Sequence, residues 1–389
     1  MKKIFFFAAL AAVALASCSS DETVAVNEAA ADANTISFRT NVSGMTRATD
    51  ITGTTLQSSG FTVFATVGST FDTKYFNETA FTYDGGTSTY TSATKNYWPS
   101  SGSLDFYAYA YNGADEQVTH TAQTKAFTVT PNATAANQTD LVFANTNGKT
   151  KDGTYNEGAK KYGADGVPLN FRHAESKITI KLKNSSTTLK VTVGDVTIGY
   201  LNTVGTYTYS GSTTNADTDH ASEYLKFADW TDKSGTGSYT QTATTTSYTS
   251  ATETTALPQS FILIPQALTT ATAYSGTTAR DGETPGSPFN GAFITVQLKI
   301  QNAANNAYIV GADGDNYVTA LWPLPTGTWN PGYHYTYTVD LAGGGYYPDN
   351  HDTNTDLDPI LEGAEIKFVS VDVDSWADGG NTDVNNNPS

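Results

Sequence analysis

The sequence predicts an all-β chain of two tandem domains, each of β-sandwich or barrel type. Three observations carry this. Short runs of alternating apolar and polar residues recur along the chain, separated by clusters of Gly, Asn, Asp and Ser. The residues that dominate are strand and turn formers, with 33 Gly, 23 Tyr and 18 Phe but only 2 Met. No segment sustains a 3.6-residue apolar period, and no repeat of about 20–50 residues is visible. The 389-residue length suits two β-rich domains better than one. Charged residues make up 15% of the chain, with 21 Lys+Arg against 38 Asp+Glu and a net charge of −17. That balance leaves no basic face for nucleic acid. Aromatic residues at 12% exclude a wholly disordered acidic chain.

Lys2 and Lys3 precede an apolar run from Ile4 to Ala16. The run is too short for the ~20 residues that cross a bilayer as a helix, so residues 1–17 read as a signal peptide. It ends in Leu15-Ala16-Ser17-Cys18, which resembles the lipobox of bacterial lipoproteins. That resemblance implies lipidation of Cys18, the only cysteine, and cleavage just before it. A mature chain starting there has no second thiol for a disulfide or a zinc-thiolate site. Residues 18–47 then read as a polar, Ala-rich tether followed by a first strand over Thr35–Val42, with Ile36 and Phe38 on one face.

The N-terminal sandwich is expected over residues 48–172. Its strands are Phe61–Val67, Leu104–Tyr111, Ala126–Thr130 and Asp140–Ala144. The C-terminal sandwich is expected over 173–389. Its strands begin at Ser176–Lys183, where Ile178, Ile180 and Leu182 form an apolar face. Leu189–Ile198, Ser260–Ile264, Phe293–Ile300, Tyr333–Leu341 and a closing strand Ile366–Val373 follow, before a polar tail. Ser210–Leu257 is Ser/Thr/Gly-rich and reads as long loops. In the closing strand the apolar residues are Ile366 and Phe368, then Val369, Val371 and Val373. This change of phase predicts a bulge or a crossing between sheets.

Several segments together resemble one family. They are Trp98-Pro99 with Leu104-Asp105-Phe106-Tyr107-Ala108-Tyr109, Asp140-Leu141-Val142-Phe143-Ala144, and Leu169-Asn170-Phe171-Arg172-His173. Phe261-Ile262-Leu263-Ile264-Pro265-Gln266, Trp329-Asn330-Pro331-Gly332-Tyr333, and Ile366–Trp376 complete the set. In this order they are similar to the fimbrillin-like lipoproteins, the FimA- and Mfa-like subunits of the type V pili of Bacteroidales. The resemblance implies two tandem β-sandwich domains of transthyretin-like or Greek-key type, export as an outer-membrane lipoprotein, and maturation by an Arg-specific protease after the first strand. It also implies assembly with other pilin subunits by strand exchange. Arg47-Ala48, in a small polar loop, offers the cleavage site, since Arg39 lies inside the strand itself. Removing residues up to Arg47 would vacate the places of Ile36 and Phe38. A neighbour's Ile366, Phe368, Val369, Val371 and Val373 are the candidate donor residues.

No cofactor and no catalytic role are expected. The acidic loop places Asp352, Asn354, Asp356 and Asp358 at alternate positions, like a calcium loop. Leu357 and Gly363 stand where such a loop needs glycine and glutamate, which makes it a weak metal candidate. No two of the five histidines have a metal-ligand spacing. His173 and His334 fall in strands and read as packed or edge residues. No nucleophile elbow, phosphate loop or dinucleotide fingerprint is present. A tethered glycan-binding lipoprotein is the alternative reading. A β-sandwich glycosidase is a further one, requiring two carboxylates to converge from among residues such as Glu175, Asp372 and Asp374.

Overall fold

The computed structural model describes residues 34–42, 50–67, 74–112, 117–120, 126–155, 158–209, 228–244, 247–249, 256–269, 291–348, 359–363, 366 and 368–375. The described chain is all-β. Its first half runs β1 (Phe38–Val42), a short helix Gly53–Ser59, β2 (Phe61–Val67), β3 (Lys74–Asp84), β4 (Thr89–Thr91) and β5 (Leu104–Tyr111). It continues with β6 (Val118–His120), β7 (Ala126–Val129), β8 (Leu141–Lys149), the small pair β9 (Thr154–Tyr155) and β10 (Lys160–Lys161), and β11 (Val167–His173).

Seven of these strands close on themselves in the order β1-β11-β8-β5-β2-β3-β4. Alternation explains the core. Leu104, Phe106 and Ala108 of β5 point inward with Phe61, Val63 and Ala65 of β2, while Tyr107 and Phe64 face the opposite side. The helix between β1 and β2 is held by its ends. Thr52 Oγ1 accepts from Thr55 N at 3.2 Å. Gly60 closes it at φ +73°, where a Cβ would run into the Phe81 carbonyl, so only glycine fits.

The second half runs β12 (Ser176–Lys183), β13 (Leu189–Leu201), β14 (Val204–Tyr209), β15 (Ala228–Ser234), β16 (Gly237–Thr242) and β17 (Ser247–Tyr248). Then come β18 (Phe261–Leu263), β19 (Ala267–Leu268), β20 (Phe293–Asn302), β21 (Tyr308–Val310), β22 (Val318–Pro323), β23 (Gly327–Thr328), β24 (Tyr333–Asp340) and β25 (Phe368–Ser375). One sheet has the order β18-β12-β24-β25, and the other is built on β16-β13-β20 with β21 and β22. Ile178, Ile180 and Leu182 of β12 meet Val191, Val193 and Val196 of β13 and Ile294, Val296 and Leu298 of β20 in one core. The two sheets therefore pack face to face.

The Ser/Thr-rich stretch 210–257 is not all loop. β15, β16 and β17 lie within it, because Tyr239 and Tyr248 alternate inward while threonines face water. Few apolar residues suffice for a strand whose other face is wet. The β14–β15 hairpin also crosses to the first half. β14 pairs with β7 from Gly205↔Val129 to Thr208↔Ala126. The sheet β15-β14-β7-β6 so formed covers the barrel's outer aromatics, with Tyr207 and Tyr209 packed on Phe64, Tyr107, Phe127 and Phe143.

Candidate functional site

β1 is the element that closes the barrel, and it does so unequally. Along β11 it runs parallel over five residue pairs, from Phe38↔Val167 to Val42↔Phe171. Against β4 it has the single pair Phe38↔Tyr90. The residues leading into it are tied on both sides, by Ile36 N→Asn96 O at 2.7 Å and Val167 N→Ser37 O at 2.8 Å. A bridge Thr35↔Tyr97 and a bond from Trp98 N to Asn34 O at 2.9 Å continue the seam. Arg39 Nε donates to the Asp165 carbonyl from the outer face.

Ile36 and Phe38 are buried. Phe38 stands edge-on to Phe81 at 4.7 Å, Phe106 at 5.1 Å and Phe61 at 6.1 Å between ring centroids. Such T-shaped contacts add about 0.5–1.5 kcal/mol each to simple burial. Burying one Ile and one Phe contributes about 1.5–3 kcal/mol apiece. β1 is thus a plug with two large apolar anchors and one short seam.

Asp50 is fixed at the junction of the two halves. Lys177 Nζ donates to Asp50 Oδ2 at 2.6 Å, with both side chains buried. Ile51 N donates to Asp140 Oδ2 at 2.7 Å. The other oxygen of Asp140 accepts from His173 Nδ1, also at 2.7 Å. Glu175 Oε2 accepts from Leu141 N at 3.1 Å. Burial pushes the Glu175 carboxyl well above the usual carboxylate range, and the Asp140 charge pushes it further. Trp230 Nε1 donates to the Ala174 carbonyl at 2.7 Å, which joins the β14–β15 hairpin to the same step.

Towards the other end of the chain, β25 forms an edge of its sheet and, among the described residues, pairs only with β24. Its register runs from Tyr333↔Ser375 to Val339↔Phe368 and slips by one residue between Thr338 and Val339. The change of apolar phase in the sequence falls at this slip. Val371 lies opposite Tyr337 and Val373 opposite Tyr335, both of which are buried in the core. The two valines nevertheless remain 39% and 51% exposed. Ile366 is half-buried against the C-terminal core.

The sequence-predicted residues therefore divide. Ile36 and Phe38 share one buried seat, while Ile366, Phe368, Val369, Val371 and Val373 lie along or beside one edge strand. Cys18, Arg47 and Ala48 lie outside the described residues, as do Asp352, Asn354, Asp356 and Asp358 of the acidic loop. Among the described residues no three His, Cys, Asp or Glu side chains are grouped to hold a metal ion. Asp372 and Asp374 are on the exposed edge strand β25, two strands across the sheet from β12, whereas Glu175, just ahead of β12, is fully buried at the junction. Asp140 is the carboxylate that acts on Glu175, and it too is fully buried, so neither oxygen set is open to a glycan. The aromatic seat of Phe38 and the Asp50–Lys177 pair were not legible from spacing. The one available signal was the cluster of charges in His173-Ala174-Glu175-Ser176-Lys177, at the start of a strand in which Ile178, Ile180 and Leu182 alternate with polar residues.

Fold and site together describe a structural β-protein whose first strand plugs one half and whose last strand skirts the other. The chain belongs to the fimbrillin-like family, whose model matches residues 46–359. Fimbrillins are structural subunits of cell-surface fimbriae that associate with other pilus subunits, and are not enzymes. None of the curated proteins matches the chain. Among solved structures it is similar to a "putative cell adhesion protein" from Bacteroides uniformis, at 16% identity over 88% of this chain and 99% of that one, with a TM-score of 0.41. Another such protein, from Parabacteroides distasonis, is 10% identical over 89% of this chain and 98% of that one, at a TM-score of 0.45. The tip fimbrial protein Mfa3 from Porphyromonas gingivalis, with a C-terminal truncation, is 9% identical over 88% and 98%, at 0.29.

Proposed function

We propose that this chain is a pilus subunit exported as an outer-membrane lipoprotein on Cys18, cut after Arg47, and polymerised by strand exchange in support of adhesion. The observation that carries the reading is the place of β1. It carries the buried Phe38, begins nine residues before Arg47, and meets β4 over a single residue pair. Cutting the connection frees a segment held by non-covalent contacts alone. The remaining chain stays anchored, because Asp50 and Ile51 are fixed to Lys177 and Asp140. Loss of β1 leaves β11 and β4 with unpaired edges, and an unpaired edge is a template for another strand. β25, half-exposed at its sheet edge, is the donor. Contacts that run head to tail without closing give filaments.

Arg47→Ala tests the reading. The variant should fold and be lipidated, yet stay monomeric on a non-boiled gel where the unaltered chain gives a ladder. A ladder of equal intensity from the variant would exclude cleavage at this site as the trigger.

A further inference from the structure

Disulfides, the usual covalent staple of extracellular proteins, are closed to this chain, whose sequence holds one cysteine. Lys177 and Asp50 offer another kind of link. Lys177 Nζ lies 2.6 Å from Asp50 Oδ2, and both side chains are buried. A lysine is almost never fully buried without such a partner. The two residues are 127 positions apart, one the third residue after Arg47 and the other on β12 of the second half. Both are held in place. Ile51, next to Asp50, donates its N–H to the buried Asp140 at 2.7 Å. Lys177 is fixed in the ladder, opposite Ile262 of β18 on one side and His334 of β24 on the other.

His334 is the third member of the group. It stands beside Lys177 on the neighbouring strand and feels the charges of both Lys177 and Asp50. Burial first, and the Lys177 charge second, push the His334 imidazole below the ordinary histidine range, so the ring is uncharged and able to take a proton. Its Nε2 lies 2.8 Å from Thr179 Oγ1, which orients the ring. An amine, a carboxyl carbon and a neutral base are thus gathered away from solvent.

We infer that Lys177 and Asp50 join in an amide bond between Nζ and Cγ, which staples the start of the first half to β12 of the second. The step is a condensation and needs no further reactant. The Lys177 ammonium passes one proton to His334, and the freed amine attacks Asp50 Cγ. The Nζ–Cγ bond forms and one Cγ–O bond breaks. The departing oxygen takes the proton held by His334 and a second one from the attacking nitrogen, and leaves as water. One proton stays on the amide, both charges vanish, and nothing is oxidised or reduced. Two effects favour the amide over the ion pair. Well-oriented groups held in contact react as though present at about 10⁵–10⁸ M. A buried ion pair also keeps the desolvation cost of two charges, and an amide carries none. The bond forms in the uncut chain as well as in a cut one, so it stands apart from the strand-exchange reading.

The test is peptide mapping of the folded full chain, denatured and digested with trypsin, by mass spectrometry. Trypsin cuts after Arg47, Lys74, Arg172 and Lys181, and an amide on Lys177 blocks the cut there. The staple therefore predicts a branched peptide that joins residues 48–74 to residues 173–181 and is lighter than their sum by one water. Free peptides 48–74 and 173–177 at full mass and in full yield would overturn the bond and leave an ion pair only. Asp50→Ala should abolish the branched peptide, and its persistence would place the link on another residue. The base is tested by time course. In refolding chain, His334→Gln should slow the appearance of the branched peptide at least about tenfold. An unchanged rate would remove His334 from the step.

Discussion

Glu175 is the residue whose environment departs most from its chemistry. Its carboxyl is fully buried beside Asp140, and its pKa is raised by lack of solvent first and by like charge second. A raised carboxyl pKa in the fold means that the folded state holds a proton the unfolded state gives up. Its stabilising contribution is complete below the ordinary glutamate range and is lost as pH rises through the folded value. Glu175→Gln keeps the neutral shape and removes the titration. Thermal melts from pH 4 to 8 should therefore show a shallower decline with rising pH for Glu175→Gln than for the unaltered chain. Parallel curves would show that this group carries no linkage. The neighbouring pair Asp50–Lys177 follows a different rule. Each buried charge is answered by the other at 2.6 Å, and removing one partner strands the second. The sequence does not reveal this pair, because nothing local shows that a loop and a strand distant in the chain come together.

At the scale of the element, β1 and β25 are both legible from alternation. So are β2, β5 and β12, whose apolar residues recur every second position. β3 was not. Most of its residues are exposed, and Phe81 is its fully buried anchor, so it presents no continuous apolar face to find. The closure of the first half into a barrel was equally hidden, since it depends on β1 pairing with β11 about 130 residues later. β1 also makes a quantitative prediction. Phe38→Ala in the uncut chain empties the aromatic box and should cost about 3–5 kcal/mol of unfolding free energy. In a chain cut after Arg47 and freed of β1, the same substitution should change nothing. Equal stability of the uncut variant and the unaltered chain in a denaturant titration would show that the plug is not seated.

Across the whole molecule, the two halves are stitched rather than strung. β14 of the second half adds to β7 of the first, Tyr209 Oη donates to the Ala108 carbonyl at 2.6 Å, and Ile262 N donates to Gln138 Oε1 at 2.6 Å. Separation at the barrel–sandwich step would expose Phe64, Tyr107 and Phe143, which the hairpin covers. The halves should therefore melt in a single calorimetric transition whose calorimetric and van't Hoff enthalpies agree. Two resolved transitions would show that they are independent. β1 and β25 lie in different halves, so under the proposed strand exchange the fixed relation of the halves would set the geometry of each joint.

The central claim is that β1 is a removable part of this fold. N-terminal sequencing of the protein purified from the cell surface addresses it most directly. The account predicts a chain beginning at Ala48, with the segment carrying Ile36 and Phe38 absent. A surface chain that is assembled yet still carries residues 34–42 would contradict it.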